Sequence, residues 1–87
     1  MTLTEKFEDA QRRVRTLPAA PSTVVLLELY ALYKQGTDGD ATGKRPGMLD
    51  IKGRAKFDAW VGRRGMTGDA AMEAYVALVD RLAAAAK

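Results

Sequence analysis

The chain has 87 residues, with 14 Lys and Arg against 11 Asp and Glu for a net charge of +3, and it contains neither cysteine nor histidine. Disulfides and thiolate metal sites are excluded, as is any nucleophile that works through a Ser-His or Cys-His pair, so only carboxylate or lysine chemistry is left to an enzyme. At 47% hydrophobic and 29% charged residues the composition is that of a folded globular chain,. One domain over residues 1–87 is expected, and at this size it buries roughly 60–65% of its unfolded surface. No apolar run approaches the length of a membrane span, so stable membrane insertion is not expected. The opening "MTLTEKFEDAQRR" alternates charge where a signal region would be apolar, which points to a cytoplasmic location,. The mild excess of positive charge suits a small anion better than a long polyanion.

Four segments carry helical periodicity. In the first, Leu3, Phe7, Ala10, Val14 and Leu17 recur at spacings of three and four and form one apolar stripe, with Arg12, Arg13 and Arg15 crowding its C-terminal turns,. "LPAAPS" breaks the chain, and Ser22 caps a second helix through Val25, Leu26, Leu29, Tyr30 and Tyr33 that stops near Gly36,. Residues 36–50 hold four of the eight glycines and Pro46. About fifteen residues is long for a structureless connection in a compact domain, and loops of that length are often functional. Asp50 caps a third helix from Ile51 to about Val61. "GRRGMTGD" makes a tight connection, and Thr67 caps the fourth helix, whose inner stripe is Met72, Tyr75, Val76, Val79 and Leu82 or Ala83,. No strand pattern and no internal repeat appears. The expected fold is all-α, a small up-down four-helix bundle.

Tyr30, Tyr33 and Lys34 stand at i, i+3 and i+4 and share one face near the end of the second helix. Taken alone, they read first as half-buried core tyrosines beside a cation suited to the helix dipole, and only second as one wall of a binding site. Lys52 and Lys56 repeat the i, i+4 spacing on the third helix, where like charges repel weakly unless an anion lies between them. "GDATGKR" is not a phosphate loop: Gly39 and Gly43 enclose three residues rather than four, and Arg45 follows Lys44 where Ser or Thr is required,. Asp38 and Asp40 do not make a Ca²⁺ loop either, because the twelfth position, residue 49, is leucine instead of glutamate,. No metal and no cofactor are expected.

Two linked stretches decide between these readings. "YALYKQGTDGD" and "RPGMLDIKGRAKFDAW" strongly resemble the acyl-CoA-binding protein (diazepam-binding inhibitor) family, whose signature has the form Y-x-x-Y-K-Q-A-x-x-G-D followed closely by R-P-G-M-x-D-x-K-G-x-A-K-W-x-A-W. Tyr30, Tyr33, Lys34, Gln35, Gly39 and Asp40 match the first part, and Arg45 to Trp60 match most of the second. The resemblance implies a four-helix bundle that carries medium- to long-chain fatty acyl-CoA esters and makes or breaks no bond. It implies that Tyr30, Tyr33 and Lys34 face the ligand, and that Lys34, Lys56 and the Tyr33 hydroxyl hold the ribose 3′-phosphate. Lys52 adds positive potential and Tyr75 contacts the nucleotide. Arg15 takes the place of a usual lysine beside adenine and phosphates. Phe7, Leu27 and Ala55 are the candidates for the acyl groove.

The chain departs from the family pattern at three places. Gly36 replaces an alanine, which is expected to loosen the last turn of the second helix. Phe57 replaces a tryptophan, and Glu28 stands where a bulky apolar residue is usual, so both bear on acyl length more than on recognition of CoA. The alternative is a basic helical module that binds nucleic acid. Eleven carboxylates spread along the chain and the lack of a recognised nucleic-acid motif speak against it,. An enzyme acting on CoA esters would need a second site for which the bundle leaves no residues. The expected partner is therefore the small-molecule ester, bound by a monomer.

Overall fold

The structure is a computed structural model, described here for residues 1–86. Four α-helices account for its regular structure: α1 (Leu3–Val14), α2 (Thr23–Asp38), α3 (Ile51–Val61) and α4 (Gly68–Ala85). Each begins on a side chain that takes up an otherwise unpaired backbone N–H. Ser22, Asp50 and Thr67 cap α2, α3 and α4 by accepting from Val25, Gly53 and Ala70. At α1 the cap is Thr2, unexpected from the sequence. Its hydroxyl accepts from the Glu5 N–H at 3.1 Å while the Glu5 carboxylate accepts from the Thr2 N–H at 2.9 Å, a capping box,.

Two boundaries differ from the periodicity. α1 ends at Val14, so Leu17 lies beyond the helix, in the connection to α2. α2 does not stop near Gly36 but continues through it to Asp38 and ends at Gly39, whose φ of +80° is the left-handed conformation that glycine adopts without strain,. Gly36 has a different role. A Cβ there would stand 3.1 Å from Met72 Cγ and 3.4 Å from Phe7 Cζ, so its absence lets α4 come close to α2 and leaves room for the tip of the Phe7 ring.

α4 lies against both α1 and α2, and α3 lies against α2. The core sits where the first three of these meet and is built from Phe7, Ala10, Leu29, Leu32, Tyr75, Leu78 and Val79. On α4 the buried residues are Ala71, Tyr75, Leu78 and Val79. The face is thus broader than the expected stripe, because two helices grip α4 at once. α3 buries no residue fully. It is held by a set of hydrogen bonds to the loop that precedes it, described next.

Candidate functional site

The loop from Gly39 to Asp50 is tied down at its start and middle. The Trp60 indole donates to the Gly39 carbonyl at 2.8 Å, and the Arg64 guanidinium donates to the Ala41 carbonyl at 3.0 Å. The Asp40 carboxylate accepts from the Gly65 N–H at 2.9 Å and from the Gln35 amide at 2.8 Å. That amide also donates to the Met66 carbonyl, so the buried Gln35 joins α2 to the turn between α3 and α4. Further along, Arg45 makes two hydrogen bonds to Asp58 of α3, at 2.9 and 2.7 Å. These bonds fix α3, and with it Lys52 and Lys56, relative to α2.

Tyr30, Tyr33 and Lys34 do project together from α2. Tyr33 is exposed (38%) and Tyr30 half-buried. Lys56 reaches over from α3 until its Nζ is 5.3 Å from the centre of the Tyr30 ring, a distance at which an ammonium is attracted by an aromatic face,. Lys34 lies in the same way 4.8 Å from the centre of the Trp60 ring. It also forms an ion pair with Asp38, one helical turn further on. The bond to Asp38 is the main cause that raises Lys34 above the ordinary lysine value and lowers Asp38 below the ordinary carboxylate value,. Lys52 and Lys56 are exposed. Among the described residues, no carboxylate lies within ion-pair distance of Lys52, Lys56 or Arg15.

Arg15, Tyr30, Tyr33 and Tyr75 line one open cleft of about 480 Å³. They come from the end of α1, from α2 and from α4, and Leu26, Leu29 and the "LPAAP" connection complete an apolar wall. Tyr75 is 5% exposed, at the floor. Burial pushes its hydroxyl above the usual phenol range, and Arg15 acts in the opposite direction. Phe7 lies beneath, 4% exposed, with its ring stacked on Tyr33 (6.1 Å between centres) and edge-on to Tyr75 (5.1 Å). It fixes two rings of the cleft and has little surface of its own to offer.

Leu27 lines a separate groove of about 350 Å³ between α2 and α3, whose apolar lining includes Val24, Ala31 and Ala59. Ala55 sits half-buried on α3 and does not line this groove. Glu28 does, with Asp58 and Arg63, so its carboxylate adjoins an apolar channel. Sequence reasoning missed Asp38 and Trp60 as neighbours of Lys34. Asp38 stands at i+4 from Lys34, a legible spacing once the helix is known to reach it. No local signal announces Trp60, which comes from another helix.

Aromatic faces, unpaired cations and an apolar wall gathered on a four-helix bundle define a small all-α ligand-binding module. The profile of the family described as "Acyl CoA binding protein" matches residues 4–79. Acyl-CoA-binding protein homolog 1 of Caenorhabditis elegans is 52% identical over 82 residues, covering 94% of this chain and 95% of the relative. The homolog from Manduca sexta is 51% identical over 85 residues, covering 97% and 94%. The crystal structure of Oryza sativa Acyl-CoA-Binding Protein 2 superposes with a TM-score of 0.92 at 40% identity, covering 97% of this chain and 91% of that one. The chain belongs to the acyl-CoA-binding protein family.

Proposed function

We propose that the protein binds medium- to long-chain fatty acyl-CoA esters non-covalently and serves as an intracellular carrier and reservoir for them. The observation that carries this reading is the convergence of Arg15, Tyr30, Tyr33 and Tyr75 on one cleft. Lys56 is held over Tyr30, and Lys34 stands beside Tyr33 on the same helix. In this reading Lys34, Lys56 and the Tyr33 hydroxyl hold the ribose 3′-phosphate, and Lys52 adds positive potential. Arg15 offers a planar guanidinium that pairs with phosphate or stacks on adenine. Tyr30 and Tyr75 supply faces for the nucleotide. Leu27 offers apolar surface to the acyl chain, Ala55 on α3 is a further candidate outside its groove, and Phe7 supports the rings from below.

The two ends of the ligand do different work. A hydrogen bond to a charged group contributes roughly 1.5–3 kcal/mol, so two or three to the 3′-phosphate select CoA over other thiols and nucleotides. Each buried CH₂ contributes about 0.8 kcal/mol, so a sixteen-carbon chain supplies at most about 10 kcal/mol before the entropy of ordering it is subtracted. The tail dominates affinity and the head chooses the molecule.

The test is calorimetry on Lys34→Ala and Lys56→Ala. Each is expected to weaken binding of an acyl-CoA by more than about tenfold, the loss of one charge-assisted hydrogen bond. The effect on the analogue lacking the 3′-phosphate should be much smaller. Equal losses for both ligands, in variants whose circular dichroism is unchanged, would overturn these roles.

A further inference from the structure

The groove between α2 and α3 carries two charges that no other side chain neutralises. Small residues, Ala31, Ala59 and Gly62, leave it open, and Leu27 gives it apolar surface. On this surface α2 places Glu28, half-buried and the one charged residue from Pro18 to Tyr33. The turn after α3 places Arg63 on the other side, also half-buried. The two do not meet: among the described residues, neither Glu28 nor Arg63 takes part in an ion pair. Asp58, the third charge on the groove, is held by Arg45. A carboxylate and a guanidinium that line one apolar groove without joining leave an acceptor and several donors for a third group.

We propose that this groove selects acyl chains that carry a hydroxyl group, with Glu28 accepting a hydrogen bond from the hydroxyl and Arg63 donating one to it. The inference rests on the acyl-CoA reading above and names a class of ester within it. An alcohol suits both charges, because its one oxygen donates a hydrogen bond and accepts another while adding no charge. A plain methylene chain covers the Glu28 carboxylate without replacing its water, which costs affinity. A chain ending in a second carboxylate meets Glu28 and Asp58, with Arg63 alone left to balance it,. Selection through a hydroxyl is also sharper than selection by length, since the analogue without it leaves the polar groups of the site unpaired. The hydroxyl belongs on the distal half of the chain. Glu28 precedes Lys34 by six residues, about 9 Å along α2, and Arg63 lies beyond the end of α3, past Lys56,. The pair therefore stands away from the lysines assigned to the phosphate.

The test is calorimetry of the full chain with palmitoyl-CoA and its 12-hydroxy and 16-hydroxy derivatives. The wild-type protein is expected to bind at least one hydroxy ester about three- to tenfold more tightly than palmitoyl-CoA. Glu28→Leu should reverse that order, tightening palmitoyl-CoA and weakening the same hydroxy ester by about tenfold. Glu28→Gln, whose amide still accepts a hydrogen bond, should keep part of the preference, and Arg63→Leu should reduce it. Each result is a ratio between esters with one head, so damage to the fold or to CoA recognition moves both esters together and leaves the ratio unchanged. Wild-type protein that binds palmitoyl-CoA but neither hydroxy ester more tightly overturns the proposal alone. So does a preference that survives Glu28→Leu. Failure to bind palmitoyl-CoA at all overturns the acyl-CoA reading and the proposal with it. The CoA monoester of hexadecanedioic acid should bind more weakly than palmitoyl-CoA. Binding tighter than that of both hydroxy esters would assign the groove to acids through Arg63 and overturn the proposal.

Discussion

Lys34 is the side chain on which the residue-scale account turns, because it is shared. Asp38 occupies the ammonium that the 3′-phosphate would use, and Trp60 sits against its other side. An ion pair this exposed contributes little, so a phosphate with more charge and more acceptor oxygens displaces the carboxylate at modest cost,. Asp38→Asn should therefore tighten acyl-CoA binding by about two- to fivefold in calorimetry at low salt. Unchanged or weaker binding would show that Asp38 does not compete. Glu28 is a second such case. Its carboxylate lines the groove with Leu27, so Glu28→Leu should favour longer acyl chains in a calorimetric series, while Glu28→Gln should do so less,. The position of Glu28 as a departure from the family pattern was legible in the sequence. The competition at Lys34 was not, because "TDGD" reads as loop and the helix in fact runs to Asp38.

At the scale of elements, the local chemistry was the most legible part. Ser22, Asp50 and Thr67 each cap the helix they precede, since the cap depends on one side chain and an N–H three residues away,. What the local pattern does not carry is contact between elements. Gly36 looks like a helix stop but marks the close approach of α4, and the α4 stripe widens to Ala71 and Leu78 because α1 and α2 both pack on it. Gly53 illustrates the same point within one cap. A Cβ there would collide with the Asp50 carboxylate that caps α3. Glycine to alanine inside a helix ordinarily gains about 1 kcal/mol, and losing a cap costs about 1 kcal/mol. Gly53→Ala should thus leave stability nearly unchanged in urea unfolding. A gain of the full helix-propensity increment would mean that Asp50 is not holding the cap.

Across the whole molecule, α3 depends on the polar staple between the loop and the α3–α4 turn. Gln35 and Asp40 are at its centre, and both belong to the motif from which the resemblance was read, although sequence alone gives no reason why a buried glutamine should be there. Gln35→Ala removes a buried side chain and two hydrogen bonds, and should cost about 2–4 kcal/mol of unfolding free energy,. Acid should act on the same staple. The Gly65 N–H, and then Gln35, hold Asp40 below the usual carboxylate value, and Arg45 does the same for Asp58. Folded values below unfolded ones give stability that is complete above the unfolded value of about 3.9 and lost as pH falls through the lowered folded values. With no histidine to titrate, melting temperature should be nearly flat from about pH 5 to 8 and fall below about pH 4, and Asp40→Asn should reduce that fall,. The central claim, that one cleft reads the head while an apolar surface takes the tail, is tested most directly by calorimetry of the wild-type protein. Palmitoyl-CoA, free CoA and palmitate are titrated in turn. The account predicts tight binding of the ester and weak binding of each half alone, and palmitate binding as tightly as palmitoyl-CoA would contradict it.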